Sequence, residues 1–554
     1  MSLKNEPLET VPETTAEVAR ASFPKGHPYL TLRDEMGDLF KDNDFADLFP
    51  TRGQPALAPW RLAWVTILQF RETLSDRQAA DAVRARIDWK YLLGLELTDS
   101  GFDFSVLSEF RARLIAGEAE ERLLSLLLTH CRDHGLLKAR GRQRTDATHI
   151  LANVRELNRL ELVGETLRAA LNELAAVEPD WLRPIIPPEW FKRYGRRIED
   201  NRLPTTAAKR QEYAQLIGED GFFLLDHIDA LTTPRELQQL PQVQALRIAW
   251  RRHYTRTNEP PQGGSSGVSL KTHQELKQAA EKIESPYDTE ARYRSKSGMN
   301  WTGYMVHLSE TCDDNTVHLI THVHTTAADV HEAKCTELIH QALVKKDLAP
   351  KEHLVDAGYI DAELLVSSQQ DHGIDIVGPP RENPSWQGQI EGGYDVQKFV
   401  IHWQQQYVTC PQGKRSSLWR EQVASGGQRG ITARFRARDC KLCPSRSLCT
   451  RAKFQGRKIY FPPQAQYEAL KAIRERLASD DGRLLYHRRA GIEGTLSQGI
   501  RAFGIRKTRY RGLAKTHLQQ VAAAVAINLD RIAAWLVSRP LAKTRTSQFA
   551  ALAA

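Results

Sequence analysis

The sequence predicts an α/β fold: a mixed-sheet core, interrupted by insertions and preceded by a helical domain. Three observations carry that prediction. Residues 59–114 repeat apolar side chains at steps of three and four, the helical period. Residues 285–324 alternate around Tyr304, Val306 and Leu308, turn at Asp313-Asp314-Asn315 and resume at Val317, Leu319 and Ile320, which is a hairpin pattern. A helix over 329–343, a short buried strand His353-Leu354-Val355 ending at Asp356, another helix and a strand over 374–377 complete the order of an α/β layer.

The chain has 554 residues, too many for one core, so three or four domains are expected. Lys and Arg number 77 against 68 Asp and Glu, a modest excess that makes its distribution matter more than its size. It concentrates in residues 486–515, which points to an anionic partner such as nucleic acid. No run of about 18 apolar residues is present, so no membrane span is expected. The first residues, MSLKNEPLETVPETTAEV, are acidic and lack the apolar centre of a secretory signal. Cytoplasmic, nucleoid-associated localisation is the resulting expectation. Seven cysteines in so long a chain argue against a disulfide framework.

In chain order, residues 1–50 read as a flexible polar leader, and residues 51–137 as helices starting at Pro59, at Ser75 or Asp76, and at Asp103 or Ser105, all cap-forming residue types except the first. Short helices joined by tight turns suit a DNA-binding helix-turn-helix or a plain packing bundle. Residues 138–150 form a basic segment leading into a strand that carries Asp146 between β-branched residues. Residues 151–284 are a helical insertion, with Leu157, Leu160, Val163, Leu167, Leu171 and Leu174 on one helix face and a linker at 260–267. Residues 285–377 return to the sheet, and residues 378–480 form a cysteine-containing insertion ending in a helix over 464–477. Residues 481–538 end in an Ala-rich amphipathic helix, and 539–554 are a tail.

The segment YHRRAGIEGTLSQGIRAFGIRKTRYRGLAK has a single carboxylate, Glu493, among many bases. On a helix Tyr486, Arg489 and Glu493 share a face, which also fits a plain Arg489–Glu493 ion pair. Gly491, Gly494 and Gly499 each cost about 1 kcal/mol relative to Ala, so close approach of another group is expected there. Asp146, Asp356 and Glu493 are thus three acids on separate elements. Brought together they repel unless a cation neutralises them. Mg²⁺ takes one or two carboxylates with phosphate oxygens, and paired ions stabilise in-line displacement at phosphorus. An Asp at a strand end is also a common turn former or cap.

Four segments carry a resemblance: TDATHI, SPYDTEARYRSKSGMNWTGYMVHLSETCDD, HLVDAGY and RAGIEGTLSQGIRAFGIRKTRYRGLAKTHLQ. Together they resemble the DDE transposases of bacterial insertion sequences, in particular the group named for insertion sequence 1182. Tyr486, Arg489 and Glu493 match the spacing of that superfamily's signature, whereas Ile500 stands where its last base is expected and Arg501 follows one place late. The resemblance implies an RNase H-like core with Asp146, Asp356 and Glu493 as a triad for two Mg²⁺ or Mn²⁺ ions. It implies DNA partners (terminal inverted repeats and target DNA), cleavage followed by strand transfer, and a homodimer or higher oligomer on DNA. Tyr486, Arg489, Arg501, Arg506, Lys507, Arg509, Arg511 and Lys515 are the expected DNA-binding residues. The alternatives are an RNase H-like nuclease without strand transfer and a non-catalytic DNA-binding relative.

Cys440 and Cys443 form a C-x₂-C, Cys449 follows, and Cys410 precedes. Four thiolates can bind structural Zn²⁺, though a full ribbon has two such knuckles. His318, His322 and His324 read as polar residues at a sheet surface.

Overall fold

The computed structural model describes residues 2–3, 10–257, 267–278, 281–381, 385–423, 427–539, 548–549 and 552. Residues 260–266 of the linker expected over 260–267, and most of the tail beyond Arg539, lie outside the described residues. The protein is a mixed α/β molecule with a helical N-terminus.

Its sheet has six strands: β1 (Arg142–Leu151), β2 (Arg292–Lys296), β3 (Met299–Thr311), β4 (Ile320–Ala327), β5 (Glu352–Leu354) and β6 (Asp375–Val377). The order is β4-β3-β1-β5-β6, with β2 pairing the start of β3. β1 and β4 flank β3 and both run antiparallel to it, while β5 and β6 run parallel to β1. Parallel neighbours need crossovers, and the helices Ala333–Lys345 and Ala362–His372 supply them. Tyr304, Val306 and Leu308 of β3 are buried, and so are Met305, His307 and Ser309 on the other face. Both faces of the sheet are therefore covered.

The flexible leader expected over residues 1–50 is corrected by the structure. Helices Glu13–Ser22 and Pro28–Met36 form there, and Tyr29, Leu32, Met36, Phe40 and Phe45 are buried in the main core. The apolar residues are interspersed with charge, which hides them from a compositional reading. The helices that follow are Pro59–Arg71, Asp76–Ala85, Ile87–Leu93, Ser105–Ala116 and Arg122–Asp133. Ser75 caps the second of these in a capping box with Gln78.

This N-terminal bundle shares one core with the last helix, Leu513–Leu536, and with the sheet. An Ala-rich helix lets neighbours pack close, and Arg71 closes the contact with Asp530 at 2.6 Å. Residues 159–253 have their own apolar core around Val163, Leu167, Ile217 and Trp250. Residues 394–461 build a small β module around Phe399, Ile431 and Phe461. The helix Gln464–Ala478 leaves that module and returns to the sheet: Ile473 packs with Leu354 and Val377, and Arg476 bonds Asp375 and Glu352. No helix among the described residues is long and apolar enough to cross a membrane.

Of the histidines expected at a sheet surface, His318 and His324 are half-buried and His322 lies inside. His322 is buried and paired with Glu121 and Lys346, where the bundle and the Ala333–Lys345 helix cover the sheet.

Candidate active site

The register of β1 and β5 brings two acids together. Arg144 lies opposite Leu354, and continuing the parallel register two residues sets Asp146 beside Asp356. Asp356 ends the strand and caps the turn Ala357–Tyr359, accepting from the Gly358 N–H at 2.8 Å. The turn-former reading of this residue is thus realised, and it also fixes the carboxylate. Asp146 Oδ1 accepts from the Ala147 N–H at 2.7 Å. Burial raises the Asp146 pKa above the usual carboxylate range; the charge of Asp356 adds to the rise, and the Ala147 N–H and Arg489 oppose it.

Glu493 comes from a different direction. The helix Asp480–His487 passes through a 3₁₀ turn, Arg488–Ala490, into the helix Gly491–Ala502. Arg489 sits in that turn, donating to Asp146 Oδ2 at 3.0 Å and to Glu493 Oε1 at 3.2 Å. Its guanidinium lies 5.8 Å from the Tyr486 ring centroid. Burial works against the Arg489 charge, but Tyr486, Asp146 and Asp356 outweigh it and raise its pKa. The intramolecular Arg489–Glu493 pair therefore exists, and it is one arm of a bridge reaching Asp146. The two bridged carboxylates differ sharply: the Asp146 side chain is 19% exposed and that of Glu493 is 65% exposed. Among the described residues, no three His, Cys, Asp or Glu side chains are gathered closely enough to hold a metal ion.

The carboxylate helix is fixed to the sheet by a buried ionic cluster that the sequence reading missed. Glu310, fully buried on β3, pairs with Arg144 at 2.6 Å and with Arg531 of the last helix at 2.9 Å. Thr495 Oγ1 donates to Glu310 Oε2 at 2.6 Å, and Arg144 Nη1 donates to the Arg488 carbonyl at 2.6 Å. Burial disfavours the Glu310 charge, but Arg531 and Arg144 hold its pKa down. Glu310 and Arg144 are cross-strand partners, and Arg144 shares a strand face with Asp146. A Glu inside the apolar run of β3 was the available signal.

Two of the three glycines are explained by packing. A Cβ on Gly491 would stand 2.0 Å from Arg144 Nη1, and one on Gly499 would stand 2.6 Å from Ile505 Cδ1. A Cβ on Gly494 meets nothing within 4 Å. Gly491→Ala should therefore displace Arg144 and lower the melting temperature, whereas Gly494→Ala should raise helix stability by up to about 1 kcal/mol. Thermal melts of both variants check this; equal effects would contradict the packing account.

The basic residues after this helix do not form one exposed row. Arg501, Lys507, Arg511 and Lys515 are exposed. Arg506 is half-buried and bonds Thr148 of β1 at 2.9 Å, and its carbonyl accepts from the Leu151 N–H, so the basic loop extends the end of β1. Arg509 lies over Phe70 and donates to the Leu74 carbonyl, joining the loop to the N-terminal bundle. The Arg511 guanidinium stacks 5.1 Å from the Tyr287 ring. Cys410, Cys440, Cys443 and Cys449 lie in the β module, around one cavity.

Residues 409–533 match the family model described as Transposase DDE domain. Residues 17–113 match a second, described as Transposase domain (DUF772). These matches indicate a DNA transposase. The transposase DDE match contains Glu493 and all four cysteines of the β module but neither Asp146 nor Asp356. The second transposase match begins inside the helix Glu13–Ser22, in agreement with a folded N-terminus. No curated protein and no solved structure matches the chain significantly.

Proposed function

We propose that this protein cuts the ends of an insertion sequence and joins them to target DNA by divalent-metal-dependent phosphoryl transfer. The observation that supports this most is the meeting of Asp146 and Asp356 on neighbouring parallel strands, tied through Arg489 to a helix that carries Glu493. An acid on the first strand, an acid after its parallel neighbour and an acid on a late helix fit an RNase H-like DDE core.

The donor set suits a hard divalent cation. Asp146 and Asp356 offer carboxylate oxygens, and Arg489 now serves as the positive charge between Asp146 and Glu493. Asp146 and Asp356 would hold Mg²⁺ or Mn²⁺, two ions in all, with Glu493 completing the second. When bound, the ions would stabilise charge on the attacking and leaving oxygens at phosphorus. Arg489 has to leave Asp146 before Glu493 can turn inward, and a DNA phosphate is the anion its freed guanidinium would take. Tyr486 stacks against that guanidinium and limits its path. Arg501, Lys507, Arg511 and Lys515 are exposed and would follow a phosphate backbone, so binding should weaken with salt. The N-terminal bundle would read the inverted repeats, and joining two ends requires a dimer or larger assembly.

Cation binding should depend on pH. A raised carboxyl pKa means that the folded chain binds the proton more tightly than the unfolded chain. Asp146 therefore costs stability as pH rises above its unfolded value of about 3.9 towards its folded value. Mg²⁺ should raise the melting temperature more near neutral pH than in acid, and Asp146→Asn should reduce the difference. A pH-independent Mg²⁺ effect would contradict this.

The functional test is a strand-transfer assay with the inverted repeats that flank the reading frame. Joined products support the proposal. Cutting without joining would favour a nuclease, and binding without either a non-catalytic protein.

A further inference from the structure

We infer that Cys410, Cys440, Cys443 and Cys449 bind one structural zinc ion in the β module between Asp356 and Glu493. The four residues line a single cavity of about 290 Å³, shared with Tyr394, Phe435 and Arg457. They arrive from separate places: Cys410 after the strand Tyr407–Thr409, Cys440 and Cys443 at and beyond the helix Ala437–Lys441, and Cys449 at the end of the helix Arg446–Cys449. Four soft donors with one C-x₂-C pair suit zinc better than a hard cation.

Two backbone donors are aimed at sulfur. The Lys414 N–H reaches Cys410 Sγ at 3.4 Å, and the Arg457 N–H reaches Cys440 Sγ at 3.3 Å. A donor to sulfur favours the thiolate, the form that ligates metal. Both contacts are built by turns. Gly413 adopts φ +74° and donates to the Cys410 carbonyl at 2.8 Å, folding Lys414 back onto the sulfur. Gly456, where a Cβ would stand 2.0 Å from the Phe435 carbonyl oxygen, lets Arg457 approach Cys440.

Arg457 provides an independent sign. Its Nε is buried and has no hydrogen-bond partner among the described residues. Four thiolates around Zn²⁺ carry a net charge of about −2, a counter-charge beside this half-buried guanidinium. The cysteines are unpaired by disulfides, and their sulfurs are not drawn in to ligand spacing, so side-chain rotation must close the set. The module has few buried apolar residues, and small domains of that kind commonly take stability from a metal.

The full-length protein, purified under reducing conditions and dialysed against metal-free buffer, should contain one zinc per chain by elemental mass spectrometry. A mercurial titration should release that zinc as four of the seven thiols react. Cys440→Ser and Cys443→Ser should reduce zinc to near zero, while Cys131→Ser, in the N-terminal bundle, should leave it unchanged. If the serine variants do not fold, the titration of the native protein still decides. Folded native protein without zinc, iron in its place, zinc release independent of those thiols, or a full zinc complement in both C-x₂-C variants would overturn the inference.

Discussion

Asp146→Asn and Asp356→Asn should each abolish DNA cutting and joining while leaving the protein folded. Each substitution keeps the side-chain volume and removes an anionic oxygen donor. Losing several kcal/mol of transition-state stabilisation corresponds to a rate loss of about 10³-fold or more. The fold should survive because Asp146 is already disfavoured as an anion by burial and by Asp356. Gel assays of cleavage and joining, run beside thermal melts, separate lost chemistry from lost structure. Unchanged activity in Asp356→Asn would discredit the carboxylate site.

Glu310→Ala should be the most destabilising substitution near the site, by about 3–5 kcal/mol, because it leaves the buried Arg144 and the half-buried Arg531 without their shared anion. Glu310→Gln keeps the shape but not the charge and should also destabilise, by less. Activity should fall with stability, since the same cluster holds the turn that carries Arg489. Denaturant titration measures the loss. A change under about 1 kcal/mol would show that apolar packing, not this cluster, positions the carboxylate helix.

Much of the sheet was legible because its signals are local. The Asp313-Asp314-Asn315 turn and the strand ending at Asp356 are each written within a few residues. The 3₁₀ turn at Arg488–Ala490 was not legible, because it depends on Arg144 reaching the Arg488 carbonyl from another strand. Nor was the shared core of the N-terminal bundle and the last helix, which joins residues more than 400 positions apart, as Arg71 and Asp530 illustrate. Three acids were singled out from sequence, but the intervening guanidinium changes their meaning. Arg489 bonds both Glu493 and Asp146, and in the proposed function it is the group that would leave Asp146.

In the proposed function Asp146, Asp356 and Glu493 form one cation site for DNA chemistry. Anomalous diffraction from crystals grown with Mn²⁺ and element-end DNA tests it most directly. The expected result is a Mn²⁺ peak between Asp146 and Asp356, with Glu493 turned inward and Arg489 on a phosphate. DNA bound with no peak there, and Arg489 still bridging Asp146 and Glu493, would contradict it.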